Sequence, residues 1–285
     1  MNRTKIYYFS GTGNSLAVAR RLADKLNAPL TPVASTTSEK SIDAKADTIG
    51  LVFPIYDFKP PQMIDDLVAK LETIDSTYLF AVCTYGIAPT HALTHLEKVI
   101  ESSGGHLSGG FAIAMPHNGI GGKRVSQARR DKLLEAWEGK TDEIYNYVRA
   151  RAEGRIESSP LLLIPFQRGM TKMIPPLFNF LTQMLTKGAD SLAFTASATC
   201  DGCGICERVC PTRNIEMVDD QPTWSDRCVM CFACLHWCPK EAISLGGCNL
   251  DIGSYHHPDA KLADMLRSAQ QATSSNQPPQ SREEQ

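Results

Sequence analysis

YFSGTGNS (Tyr8–Ser15) closes an apolar run and enters a loop of two glycines, three hydroxyls and one amide. Behind it, Leu16, Ala19, Leu22 and Leu26 recur at helical spacing, so the loop joins a strand to the start of a helix. Free amides at a helix start, backed by aligned peptide dipoles, favour an anion without help from Lys or Arg. The loop lacks the Gly-Lys-Ser/Thr ending of the ATP-binding P-loop. Leu16 stands where the dinucleotide fingerprint needs its third glycine. A compact monophosphate suits this donor set; the plain alternative is a Gly-rich strand–helix turn.

Outward from the loop, the first 115 residues alternate strands and helices. Strands are predicted at 4–9, 47–56, 77–85 and 109–116, with a short one near 30–33. Helices are predicted at 14–27, 62–71 and 90–103. Near-continuous apolar strands with helices between them specify a parallel sheet covered on both faces. A charged helical stretch follows at 123–153. Residues 159–191 carry four prolines, and Leu177, Phe178, Leu181, Met184 and Leu185 fall on one helical face. That face reads as a connecting helix packed on a neighbour; peripheral docking on a membrane or partner through 160–187 is the alternative. A helix is expected at 258–270, and 271–285 has no large apolar side chain, which implies disorder. The expected units are 1–155, a linker at 156–193, a metal-binding segment at 194–247, and a C-terminal helix and tail at 248–285.

Of the 285 residues, 42% are apolar, enough for a sizeable core. The 29 basic and 31 acidic residues nearly cancel, which gives no reason to expect nucleic acid as a partner. No run approaches the ~20 apolar residues of a membrane span. Residues 1–9 read as a strand and not as a targeting leader, so a cytoplasmic protein is expected.

Cysteine breaks this ordinary pattern. Eight of the ten cysteines lie between Cys200 and Cys238, in CDGCGICERVCP (200–211) and CVMCFACLHWCP (228–239). Both runs are C-x2-C-x2-C-x3-C-P, and every cysteine has a twin 28 residues on. An internal duplication implies two similar sites. Zinc also takes four thiolates, but its sites usually pair two C-x2-C knuckles. The duplicated run instead suits iron–sulfur cubes, where three closely spaced cysteines wrap one face and the fourth arrives from elsewhere. Cys83 and Cys248 read as ordinary reduced thiols.

The segment resembles the bacterial two-[4Fe–4S] ferredoxins over about 50 residues, in which the fourth ligand comes from the other run. This implies that Cys200, Cys203, Cys206 and Cys238 hold one cluster, and Cys228, Cys231, Cys234 and Cys210 the other. Gly202 and Gly204 would let backbone amides turn toward the sulfurs.

FSGTGNS, in turn, resembles the phosphate loop of flavodoxins, which bind FMN on a doubly wound five-stranded α/β sheet. The resemblance implies that Ser10, Gly11, Thr12, Gly13, Asn14 and Ser15 hold the ribityl phosphate. Two further loops, FPIYDF and CTYGIAP, fall at strand carboxyl ends, where open parallel sheets place ligands. It casts Pro54, Ile55, Tyr56 and Asp57, then Thr84, Tyr85 and Gly86, as flavin-ring contacts, with Tyr56 or Tyr85 stacking on the ring. Asn118, in MPHNG after the fifth strand, is a further candidate. Many flavodoxins are strongly acidic; this chain is not, as if its partner were built in. His117, His236, His256 and His257 stand out, but none has an identifiable catalytic partner. His236, between cluster ligands, reads as a residue that packs or hydrogen-bonds near a cluster, and GSYHHPD (253–259) as a capping turn before the last helix.

Together the halves resemble the fusion family in which a flavodoxin-like domain precedes a small α+β two-[4Fe–4S] ferredoxin domain. The resemblance implies an electron-transfer protein linking FMN, two clusters and redox partner proteins. The runners-up are an FMN-dependent oxidoreductase acting on NAD(P)H, a quinone or another small acceptor, and an electron-entry subunit of a larger reductase. No second nucleotide fingerprint is present, which weighs against direct NAD(P)H oxidation.

Overall fold

The computed structural model describes residues 3–56, 58–158, 193–246 and 252–274, with side chains as far as 270 in the last stretch. Asp57, the 160–187 face, Cys248 and the tail from 275 lie outside the described residues.

Six parallel strands form one sheet: β1 (Thr4–Tyr8), β2 (Leu30–Pro32), β3 (Thr48–Pro54), β4 (Tyr78–Tyr85), β5 (Leu107–Ala114) and β6 (Arg155–Ile156), in the order β2-β1-β3-β4-β5-β6. The order of the first five is that of the flavodoxin-like doubly wound fold. β3 and β4 lie centrally, and Leu51, Val52, Phe53, Phe80, Ala81 and Val82 are buried, as continuous apolar strands between two helical layers require. The helices are α1 (Asn14–Leu26), α2 (Gln62–Lys70), α3 (Ala92–Ser102) and α4 (Gln127–Arg149).

Two expectations are corrected. The sheet has six strands, not five, the sixth being β6. β6 is too short to show periodicity, and it is held by long-range bonds: Glu157 N–H donates to Gly110 O (2.9 Å), and the Glu157 carboxylate accepts from Ala112 N–H (2.9 Å). Helix α3 starts later than predicted, because Thr90 takes a left-handed φ of 52° and its hydroxyl donates to Phe58 O (3.0 Å).

The cysteine-rich unit is α+β. β7 (Phe194–Ala196) pairs antiparallel with β10 (Ile243–Leu245), and β8 (Ile215–Val218) with β9 (Gln221–Trp224). Two short helices, α5 (Ile205–Val209) and α6 (Ala233–His236), carry the third cysteine of each run. The last helix, α7 (Leu262–Ser274), packs on the 3-10 turn Val33–Thr36 and on β2. Its clamp is Asp264, bound by Arg20 (2.7 Å) and Arg267; Ser268 Oγ lies 2.6 Å from Tyr8 Oη.

β1 and β3 are neighbours, while β2 lies on the outer side of β1. The chain therefore changes direction between them, and their carboxyl ends are where open sheets bind ligands. The Ser10–Ser15 loop and the loop after β3 both end there. The cysteine-rich unit sits on the same edge: its Val209, Cys231, Ala233 and Trp237, with Ala260 and Met265 of the C-terminal segment, belong to the same apolar cluster as the sheet. A smaller second cluster gathers Phe194, Cys206, Cys210, Ile215, Cys234 and Leu245.

Candidate functional site

Each cysteine run coils so that its thiols face inward, and two cavities result. One is lined by Cys200, Cys203, Cys206 and Cys238; the other by Cys210, Cys228, Cys231 and Cys234. Each takes three thiols from one run and the fourth from the other. Among the described residues no three His, Cys, Asp or Glu side chains converge closely enough for a single metal ion. The thiols surround a space instead of a point.

The duplication extends to the backbone. Gly202 and Gly204 have φ of 70° and 67°; their twins Met230 and Phe232 hold the same left-handed conformation at 52° and 58°. Arg213 and Glu241, also twins, are left-handed at 50° and 47°. Asn214 N–H donates to Cys210 Sγ (3.3 Å), and its twin Ala242 N–H to Cys238 Sγ (3.4 Å). Left-handed φ at a non-glycine residue costs about 1–2 kcal/mol, so the second run bears strain that the first avoids. Such strain gathers where backbone geometry serves a site.

The donor chemistry of the second cavity fits an acceptor-rich inorganic cluster. Asn214 and Trp224 both line it; Asn214 Nδ2 is buried without a partner, and Trp224 Nε1 is buried with the Cys234 thiol as its near neighbour. An orphan donor and an indole N–H beside a ligand thiol suit a group whose sulfurs accept hydrogen bonds. Burial pushes the Cys231 thiol up to about 12 and the Cys206 thiol up to about 11. Without iron these groups hold their protons at neutral pH, and ligation replaces proton by metal.

At the N-terminal crevice, Ser10, Gly11, Thr12, Gly13, Asn14 and Ser15 are all buried. Ser10 Oγ accepts from Gly13 N–H (3.0 Å) and closes the turn. Ser15 Oγ meets Thr84 Oγ1 (2.8 Å), Asn118 Nδ2 donates to Thr12 Oγ1 (2.5 Å), and Ile55 N–H donates to Thr84 O (3.0 Å). The three loops are thus stitched together, as a site assembled from separate strand ends needs. The amides of Thr12, Asn14 and Ser15 find no acceptor among the described residues. With the hydroxyls, they are the donor set of an anion cradle at a helix N-terminus, and a phosphate fits that chemistry.

The remaining candidates line the rim. Pro54, Ile55, Tyr56, Tyr85 and Asn118 are half-buried, Thr84 is buried and Gly86 is exposed. A Cβ on Gly86 would lie 2.8 Å from His117 Cβ, so only glycine fits there. Tyr56 does not present an open ring. It lies edge-on to Phe9 (centroids 6.1 Å apart), and its buried hydroxyl has no partner.

What sequence reasoning missed is the joint between the two sites. Trp237 Nε1 donates to Gly11 O (3.0 Å), and His257 N–H donates to Thr12 O (2.9 Å). Tyr255 Oη donates to Asn14 Oδ1 (2.7 Å), while His236 Nε2 bonds Asn118 O (2.7 Å). His236 Nδ1 accepts from Tyr255 N–H (3.1 Å), which fixes the neutral tautomer with its proton on Nε2. Burial agrees, lowering the His236 pKa to about 4. His256 stacks on Trp237 at 4.5 Å. The 253–259 turn is a turn, with Asp259 N–H donating to His257 Nδ1 (3.2 Å), and it also covers the loop. Its one sequence signal was the pair of histidines, which spacing alone leaves without an address.

The fold and the cysteine cavities define a flavodoxin-like sheet joined to an iron–sulfur domain. Residues 199–243 match the family model of the 4Fe-4S dicluster domain. The chain is accordingly a redox protein of the electron-transfer class. No curated protein matches the chain. Solved structures similar to its sheet include a Bacteroides uniformis flavoprotein (18% identity, 40% of this chain and 90% of that one, TM-score 0.35). A flavodoxin from the domain Archaea (15%, 52% and 99%, 0.36) and the Streptococcus pneumoniae TIGR4 flavodoxin (18%, 50% and 97%, 0.34) are others. At these scores the likeness adds no weight to the fold, which rests on its strand order. No helix among the described residues is long and apolar enough to cross a membrane.

Proposed function

We propose that the chain relays electrons within one molecule, between FMN at the Ser10–Ser15 loop and a [4Fe–4S] cluster in each four-cysteine cavity, and onward to redox partner proteins. Bound FMN supplies two-electron storage that is released one electron at a time. The chain's own residues do the rest. Thr12, Asn14 and Ser15 offer amides to the phosphate, Ile55, Tyr85 and Gly86 border the ring, and the eight paired cysteines ligate the clusters. The observation that carries this reading is the physical seating of a cysteine run on the anion loop, with Trp237 bonded to Gly11 O at 3.0 Å. Tethered redox sites exchange electrons at high effective concentration, without diffusional encounter, and the protein's part is distance, access and electrostatics.

Anaerobic purification followed by iron, sulfide and flavin analysis tests it. The expected result is about eight irons and eight sulfides, four of each per duplicated site, and one FMN per chain. Two irons or fewer without sulfide, or an N-terminal crevice that takes up no flavin mononucleotide, refutes it. Bleaching by NADH or NADPH without a partner protein would replace the carrier reading by a flavin-dependent oxidoreductase.

A further inference from the structure

The duplicated sequence makes the two cluster sites look interchangeable; their surroundings are not. The second run lies close against the loop. A Cβ on Gly11 would lie 2.9 Å from Tyr56 Oη and 3.2 Å from Cys231 Cβ, with the Cys231 carbonyl nearer still. Cys231 belongs to the apolar cluster of the sheet, whereas no ligand of the Cys200/Cys203/Cys206/Cys238 site does; the non-ligand twins Val209 and Trp237 both belong to it, so the difference lies in the ligands. Exposure differs in the same sense. Cys210, Cys231 and Cys234 are buried and Cys228 is exposed; of the other four only Cys206 is buried. Where the first run has Gly202 and Gly204, the second has Met230 and Phe232, which add apolar bulk around their cluster at the cost of left-handed strain.

Resting on the cofactor reading above, we infer that the two clusters are ordered. The Cys210/Cys228/Cys231/Cys234 cluster is the inner one, coupled to the N-terminal site through Tyr56, Gly11 and Trp237. The Cys200/Cys203/Cys206/Cys238 cluster is the outer one, and electrons pass between it and the N-terminal site by way of the inner cluster. In the transfer between clusters, one electron leaves one cube, which is oxidised by one, and enters the other, which is reduced by one; no atom moves. Tyr56 is a positioning residue in this scheme. Its buried hydroxyl lies beside Gly11 and the backbone of Cys231, a ligand of the inner cluster, and no ligand of the outer cluster lies there. Lys240 lines the outer cavity beside Asp201, with which it is ion-paired (3.6 Å), and removing its charge leaves the Asp201 carboxylate uncompensated at the outer cluster.

The test is a potentiometric titration of the anaerobic holoprotein, followed by electron paramagnetic resonance so that each cluster's reduction step is read separately. It compares the parent with Tyr56→Phe and Lys240→Gln. Both changes are conservative, and iron, sulfide and flavin contents are measured on every sample. The expected result is that Tyr56→Phe displaces one step and leaves the other in place, and that this step is not the one Lys240→Gln displaces. Any other pattern overturns the order: both steps moved by Tyr56→Phe, neither moved, or the same step moved by both variants. Because the readout belongs to the clusters, loss of the flavin reading appears in the flavin content and failure of the order in the titration.

Discussion

Substituting Gly13 by alanine tests whether the C-terminal turn clasps the anion loop. Gly13 caps the start of α1 with a φ of 95°, in the left-handed region. An added Cβ would lie 3.1 Å from His257 Cβ and well inside contact distance of Ala260 Cβ. Left-handed backbone at a non-glycine residue costs about 1–2 kcal/mol, and forcing a methyl into a packed seam costs about 1–3 kcal/mol. Their sum, about 2–5 kcal/mol, falls on the contact between the loop and residues 255–260. The reporter is hydrogen exchange at the His257 amide, which donates to Thr12 O at 2.9 Å. At about 1.4 kcal/mol per tenfold, its protection should fall by about 30-fold to a few thousand-fold. Adding Ala260→Gly should restore the packing share and leave the backbone share, a coupling of the size expected for touching residues. Unchanged protection, or a double variant no better than Gly13→Ala alone, would refute the clasp.

Trp237→Phe keeps the ring but strands the buried Gly11 carbonyl; it should destabilise the joint by about 1–3 kcal/mol, seen as faster exchange at residues 10–15 and 233–237. The hydrogen bond from Arg20 holds the Asp264 carboxyl down to about 2. A lowered carboxyl pKa stabilises above the unfolded value and is lost as pH falls through the folded one, so the hold on α7 should weaken between about pH 4 and 2. Asp264→Asn should remove that acid dependence and loosen α7 at neutral pH by about 1.5–3 kcal/mol; limited proteolysis of the C-terminal segment measures both. Cys206→Ser and Cys234→Ser, each removing a ligand from a different cavity, should each lower the iron content by about four per chain under anaerobic analysis. A loss of all iron from either variant would instead mean that the two sites assemble as one.

What could be read in advance, and what could not, follows the range of the interactions. The sheet was legible because β1, β3, β4 and β5 carry apolar runs that only a two-sided layer buries. The anion loop was legible from glycines and hydroxyls at a strand–helix junction, and the cysteine grouping from a repeat of 28 residues. Each of these is a local pattern, written within one element or one motif. β6 was not legible, since two residues have no period and its pairing is fixed by Glu157 reaching back to β5. Tyr56 looked like an open ring contact, but its direction is set by Phe9 and by the second cysteine run.

Sequence alone therefore determined which chemistries this protein carries: a parallel sheet with an anion loop, and two thiol nests of identical spacing. Tertiary structure alone decided how they meet. Only folding brings Trp237 to Gly11, 226 positions away, and His257 to Thr12. The reason is physical: backbone spacing specifies a motif through neighbours along the chain, whereas adjacency between motifs depends on which apolar faces bury one another. Twin sequences thus acquire unequal surroundings: Cys231 of the second run packs into the sheet's apolar cluster, and its twin Cys203 is exposed.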